Sequence, residues 1–235
     1  RDIYREKIGI LLDKGHAYPC FCTAERLENM RKERIARNEP PGMYDGTCRH
    51  IPKAEALQRM KEEEHTIRLK IPGEGETIVP DLIRGNVKFQ NFTIDDQILI
   101  KSDGFPTYHL ANVVDDHLMA VTHVIRGEEW LPSTPKHVLL YRFFGWKMPE
   151  FAHLPLLLNP DRSKLSKRQG DVAVEDYREK GMLPQALINF VALLGWSPGE
   201  EEREIFDLEE MISTFSLERI NKSGAVFDMA KQEWM

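Results

Sequence analysis

The stretch from Pro106 to Asn159 constrains the fold more than any other, because strand and helix grammar alternate along it. After "PTYHLANVVDDHLMAVTHVIRG", where the pattern becomes strand and helix in turn, "STPKHVLLYRFFGW" reads as a capped helix and "HLPLLLN" as a short buried strand. Strands joined through a helix cannot close as a hairpin, so they pair in parallel and are covered by helices. This is βαβ grammar, and it places the chain in the α/β class.

The flanks read differently. Ile3 to Lys14 is predicted as a helix, with Ile3, Ile8, Leu11 and Leu12 on one face and Gly15 as its C′ cap, and "YPCFC" breaks it. Thr23 is the expected N-cap of "AERLENMRKERIARN", which "EPPG" stops; the loop "MYDGTCRH" and an exposed helix, "IPKAEALQRMKEEE", follow. From His65 the chain turns to strands: "TIRLKI", "ETIVPDLI", "GNVKFQ" and "QILIKSDG". Beyond residue 170, "AVEDYREKGMLPQALINFVALLGW" and "DLEEMISTFSLERI" are two helical regions joined by the acidic turn "SPGEEEREI". An α/β nucleotide-binding sheet opens with a strand and a phosphate-facing helix N-terminus. Nothing before residue 20 supplies one, so the chain is expected to be cut at its front.

Between these halves lies "NPDRSKLSKRQG", with Arg162, Lys164, Lys167 and Arg168 inside seven positions of a chain whose net charge is −6. An acidic total argues against a bulk basic nucleic-acid coat but leaves room for a local phosphate-binding surface. The loop is either a solvated charge run or a device for holding a polyphosphate, and it is not a Walker A loop, since GxxxxGK[ST] is absent. A hydrophobic fraction of 41% and a charged fraction of 30% suit a soluble globular protein, and no apolar run approaches the ~18 residues of a membrane span. The opening "RDIYREKIGILL" is an amphipathic helix rather than a signal peptide. Three cysteines fit a reducing compartment better than a disulfide framework.

"KLSKR" resembles the KMSKS signature of class I aminoacyl-tRNA synthetases, with Leu165 for Met and Arg168 for the last Ser. "KSDGFPTYHLANVVDDHLM", "THVIRGEEWLPSTPKHVLLYRFFGW" and "VFDMAKQEWM" resemble the glutamyl-tRNA synthetase family in the same order, so the resemblance covers essentially all 235 residues. It implies a Rossmann-like class I catalytic fold, first part missing, with an inserted acceptor-binding α+β domain and a helical stem-contact domain. The implied boundaries are 1–106 for the connective helix and insert, 107–160 for the second catalytic half, and 161–235 for the basic loop and helical domain. The family's HIGH-type motif and anticodon-binding region are expected to lie outside these residues.

By motif position, the resemblance assigns ATP phosphates to Lys164, Leu165, Ser166, Lys167 and Arg168, with Lys164 and Lys167 catalytic. Their cations would meet charge developing on the triphosphate in the transition state. Glu129 and Trp130 match positions beside ATP; on their own they would be a helix-start acid and a core aromatic. Tyr108 corresponds to a tyrosine lining the amino-acid pocket and Asn112 to a ligand of the substrate's α-amino-acid end, where the plainer readings are a half-buried ring and a turn residue. Arg126 corresponds to an arginine facing the side-chain carboxylate, a pairing that a guanidinium makes bidentately and cannot make with an amide. Asp115 and Asp116 are expected to be strand-end structure rather than a metal pair.

Cys20-x-Cys22 and, 25 residues on, Cys48-x-His50 offer three thiolates and an imidazole, a tetrahedral Zn²⁺ set. Three unrelated thiols are the alternative. Some members of the family carry a zinc here, which would be structural, and Tyr44 could replace His50 as fourth ligand. The implied function is ATP-dependent activation of L-glutamate, with Mg²⁺ accompanying the nucleotide, and transfer to the 3′ end of tRNA(Glu), by a monomer without membrane contact. Bacterial cytoplasm is the expected compartment, with an organelle as the other. Arg68 and Lys70 are candidate RNA phosphate contacts or else exposed strand charges. Two alternatives remain: a paralogue that glutamylates a modified base of tRNA(Asp), and a tRNA-binding fragment without catalysis.

Overall fold

The computed structural model describes residues 1–38, 42–165, 173–199 and 203–228. Three helices end by the same device. At the close of α1 (Asp2–Asp13), Gly15 takes φ +74°, and the amides of Gly15 and His16 return to the carbonyls of Leu12 and Leu11 at 3.2 and 2.8 Å. Gly145 ends α5 (Thr134–Phe144) and Gly181 follows α6 (Val174–Glu179) in the same way. At the end of α4 (Tyr108–Leu118) the left-handed position falls instead on Ala120, φ +55°. An L-residue held there costs roughly 1–2 kcal/mol.

The residues divide into two compact units that interleave along the chain. The first comprises Arg1–Val79, Val87–Thr122 and Ser133–Pro149. Its antiparallel sheet has the order β1 (Ala17–Cys20), β2 (Thr66–Leu69), β5 (Ile98–Ile100), with Ala17 opposite Leu69. The core joins Leu11 of α1, Leu69 of β2 and Leu99 of β5 to Leu110 and Val113 of α4 and Leu139 of α5, all fully buried. Each such side chain stabilises the fold by about 1.5–3 kcal/mol. Thr23 caps α2 (Ala24–Ala36) through its Oγ1, which accepts from the Arg26 amide at 3.2 Å. The expected stop, "EPPG", lies largely outside the described residues, while the exposed helix after it is only α3 (Lys53–Arg59).

The second unit comprises Pro80–Asn86, His123–Pro132 and Glu150–Met235. Here β6 (His123–Gly127) and β7 (Glu150–Leu154) pair in parallel along their whole length. Since α5 lies between them in the chain, this is the β–α–β connection that the alternating pattern predicts, and the α/β class holds. The far end of β3 (Glu76–Asp81) joins β7 on its other side, with Asp81 opposite Phe151; β4 (Gly85–Gln90) follows β3 as its hairpin partner. Helices α6, α7 (Pro184–Leu193) and α8 (Leu208–Thr214) complete the unit, and Tyr177, Phe190, Leu194 and Phe227 form a buried cluster.

Two expectations need correction. "YPCFC" is not merely a break: its first half is β1, which tolerates Pro19 because it is an edge strand in this sheet and can forgo one amide. "HLPLLLN" is not one strand. Pro155 ends β7, and Leu157–Leu158 form β8, which pairs in parallel with β9 (Ala225–Val226).

Candidate functional site

In the first unit, Thr107 fixes the start of α4: its Oγ1 donates to the Ile98 carbonyl at 2.7 Å and its amide to that of Leu99 at 2.8 Å. Tyr108 therefore projects from the first helical position, 48% exposed, with Asn112 one turn along the same face. The Tyr108 ring borders His109 and His137, centroids 5.8 and 6.2 Å away, and the two histidines meet through Nδ1 and Nε2 at 3.0 Å. Asn112 donates to Asp116 at 2.9 Å, and Asp115 accepts from the Tyr4 hydroxyl at 2.7 and 2.9 Å. The acidic pair is thus helical, not at a strand end: each carboxylate binds a neighbour, one along the helix and one on α1.

In the second unit, Arg126 of β6 stands directly opposite His153 of β7, and its Nε donates to His153 Nε2 at 3.2 Å. The guanidinium lies 5.8 Å from the Trp130 ring and 5.9 Å from that of Phe151, within cation–π range. Glu129 and Trp130 sit on the 3₁₀ turn Glu128–Ser133 that follows β6. The Glu129 carboxylate folds back over Gly127, in space that a Cβ at position 127 would occupy, and pairs with Lys164 at 3.1 Å. Although partial burial works in the opposite direction, its own backbone amide and Lys164 hold Glu129 below the usual carboxylate range. The neighbouring Glu128 instead pairs with Arg84 and accepts from the Leu156 amide at 3.3 Å.

The basic loop opens with a tight turn. The Asn159 amide donates to the Ser163 carbonyl at 2.8 Å, Arg162 takes φ +65°, and Asp161 accepts from both the amide and hydroxyl of Ser163 at 2.8 and 2.6 Å. Lys164 points outward, whereas Leu165 bonds its amide to the Leu157 carbonyl and packs on the Tyr177–Phe190 cluster. The structure thus separates Leu165, an apolar anchor, from the cation beside it. Ser166, Lys167 and Arg168 lie outside the described residues.

The cysteines converge, all in the first unit. The sulfurs of Cys20, Cys22 and Cys48 lie within 4.8 Å of one another. His50 is exposed and not among them; the Tyr44 hydroxyl is, at 3.4 Å from Cys20 and 3.2 Å from Cys22. Three thiols and a phenol at these separations fit a tetrahedral ion with sulfur bonds of about 2.3 Å. Arg26 donates to Cys22 at 3.2 Å, and Arg68 lies 4.0 Å over the Tyr44 ring. Burial pushes Cys22 up to about 11, while hydrogen bonds from Tyr44, the Cys22 amide and Arg68 outweigh burial at Cys20 and lower it. The two neighbouring thiols thus shift in opposite directions, and a dication between them would favour the thiolate form of both. This placement overturns one expectation. Arg68 is 5% exposed and bound to the Asp96 carbonyl at 2.9 Å, so it cannot also reach an RNA phosphate; Lys70 is partly exposed.

Sequence signals existed for the arginine, the lysines and the cysteines. Nothing in the local pattern marked Asp81, His137 or His153, which lie in apolar runs and meet their partners only in the fold. Among the described residues no helix is long and apolar enough to cross a membrane.

The family model for "tRNA synthetases class I (E and Q), catalytic domain" matches residues 1–234. The chain is 55% identical over 234 residues to a glutamate–tRNA ligase of Alkaliphilus metalliredigens, covering 99% of this chain and 47% of that protein. It is 54% identical to one from Clostridioides difficile, covering 100% and 47%. A crystal structure of glutamate–tRNA synthetase from Elizabethkingia anophelis superposes with a TM-score of 0.89 at 41% identity, covering 99% of this chain and 52% of that one. A glutamate–tRNA ligase from Elizabethkingia meningosepticum, solved in complex with its amino acid, gives 0.88 at 41% identity, covering 99% and 51%. The chain spans about half the length of the curated relatives it matches. With the family's catalytic-domain pattern running from residue 1 to 234, the chain belongs to the class I tRNA synthetases of the E and Q group.

Proposed function

We propose that these residues form the acceptor-binding and nucleotide-binding portion of a glutamate–tRNA ligase. Glutamate's α-carboxylate attacks the α-phosphorus of ATP, giving glutamyl-adenylate and pyrophosphate, and the terminal adenosine of tRNA(Glu) then takes the acyl group. Positioning and electrostatics carry such chemistry without a covalent enzyme intermediate. Tyr108 and Asn112, on one face of α4, bind the α-amino-acid end; Glu129 and Trp130 border the nucleotide; Lys164 and Lys167 meet its phosphates. Mg²⁺ arrives with the nucleotide and offsets its charge. Residues 23–102 receive the acceptor end of the RNA. The protein acts as a monomer in the cytoplasm of a bacterium, where translation takes place.

The observation that carries this reading is Arg126, a cation set on β6 between two aromatic rings. A donor fork pairs bidentately with a carboxylate and only through one oxygen with an amide, which favours glutamate over glutamine and a glutamyl over a glutaminyl enzyme. The test is ATP–pyrophosphate exchange by the full-length protein with tRNA present: exchange is expected with glutamate, not glutamine, followed by charging of tRNA(Glu). Charging of a base within tRNA(Asp) instead would move the assignment to the paralogue, and tRNA binding without exchange would leave a binding module.

Cys20, Cys22, Cys48 and Tyr44 hold one structural Zn²⁺, which pins the loop carrying Cys48 to the strand carrying Cys20. Protein purified without chelator is expected to contain about one zinc per chain, and Cys48→Ser to lose it and lower the melting temperature. His50→Ala should keep the metal and Tyr44→Phe weaken it; the reverse pattern would return the fourth position to the imidazole.

A further inference from the structure

A guanidinium has no acceptor, so the contact between Arg126 and His153 fixes the state of the imidazole. Arg126 Nε–H donates to His153 Nε2 at 3.2 Å, which leaves Nε2 with its lone pair and puts the proton on Nδ1. Nδ1–H then donates to Asp81 Oδ2 at 2.6 Å. Neither the His153 nor the Asp81 side chain has any exposed surface. Asp81 is itself held by three amides, accepting from His153 at 3.0 Å, Ile83 at 3.0 Å and Arg84 at 2.9 Å. Burial lowers the His153 pKa, with Arg126 and Arg84 acting the same way and Asp81 against them, in keeping with the neutral ring that the Arg126 contact requires.

We propose that Asp81 and His153 are positioning residues for Arg126: the buried carboxylate selects the Nδ1–H tautomer, and the imidazole holds the guanidinium by its Nε, which sets the plane in which the fork meets the substrate's side-chain carboxylate. Cross-strand register makes the device rigid, because Arg126 and His153 are direct partners on β6 and β7 while Asp81 ends the strand on the other side of β7. Orientation of this kind matters for a bidentate pair, which loses its second bond when the fork rotates. The inference rests on the reading of Arg126 as the glutamate side-chain contact.

Asp81→Asn is the most informative change. An amide at position 81 can present N–H to the ring, which then shifts its proton to Nε2 and points a donor at the donor of Arg126; a wrong tautomer from an Asp→Asn change is costly in the Ser-His-Asp triad for the same reason. In the full-length protein, Asp81→Asn is expected to raise the KM for glutamate about five- to tenfold while the KM for ATP and kcat stay within about twofold. His153→Leu should act in the same direction, and His153→Gln, which keeps an acceptor near the Nε2 position, should recover much of the loss. Nitrogen-15 NMR of the unaltered protein should show His153 neutral and protonated at Nδ1. A ring protonated at Nε2, or unchanged glutamate KM in the Asp81 and His153 variants while Arg126→Gln raises it, overturns the positioning role and leaves the Arg126 reading standing. If Arg126→Gln itself leaves glutamate binding unchanged, the Arg126 reading fails and the positioning role falls with it.

Discussion

Lys167→Ala in the full-length protein is expected to slow glutamate-dependent ATP–pyrophosphate exchange by at least about 100-fold, roughly 2.7 kcal/mol of transition-state stabilisation, with little change in melting temperature. As the α-phosphorus is attacked, negative charge grows on the departing pyrophosphate, and a cation that meets it there stabilises the transition state more than bound ATP. The described part of the loop suits the proposed role. Its turn is closed by the Asn159–Ser163 bond, Leu165 is anchored in the Tyr177–Phe190 cluster, and Lys164 is directed outward to Glu129. The effect belongs in kcat and kcat/KM together, since the interaction is made in the transition state. Exchange at a near-normal rate would remove Lys167 from phosphate chemistry.

Arg126→Gln is expected to raise the KM for glutamate at least about tenfold and to narrow the preference over glutamine, with ATP binding unchanged. Glutamate and glutamine have nearly the same size, so packing cannot separate them. A fork of donors can: it gains a charged pair with one and leaves buried donors facing donors with the other. In the structure Arg126 lies within cation–π range of Trp130 and Phe151, while Lys164 and Glu129 pair with each other without it, so the proposed phosphate-side contacts do not depend on the guanidinium. Weakened ATP binding with glutamate unaffected would refute the assignment, and specificity would then rest on the identity to glutamate–tRNA ligases alone.

The contrast between what was legible in the sequence and what was not follows the range of the forces involved. The helix end at Gly15 and the Thr23 cap could be read because local sterics write them into adjacent residues, and the alternation of strand and helix showed the β–α–β connection, though not where β7 begins and ends. Arg68 reads as an exposed strand charge by alternation, but its partners, the Tyr44 ring and the Asp96 carbonyl, come from distant segments and draw it inside. Tyr44 and His50 flank Cys48 on either side, and spacing alone could not say which one turns toward the sulfurs. The Asp81–His153 pair spans 72 positions, so neither residue carries a mark of the other.

The pairing of β8 with β9 bears on the order in which a ribosome can assemble the second unit. Leu157 and Leu158 emerge early, yet their strand partners Ala225 and Val226 come only after the whole of α6, α7 and α8, and so does the Lys222 carbonyl that receives a bond from Arg84. At 5–20 residues per second, the gap between Glu150 and Val226 lasts about 4–15 s. The first unit has its last residue by Pro149. During those seconds the nascent second unit holds β6 and β7, while β8 waits for the strand that pairs with it. An unpaired strand edge of this kind is what nascent-chain quality control recognises, and it persists until β9 is made.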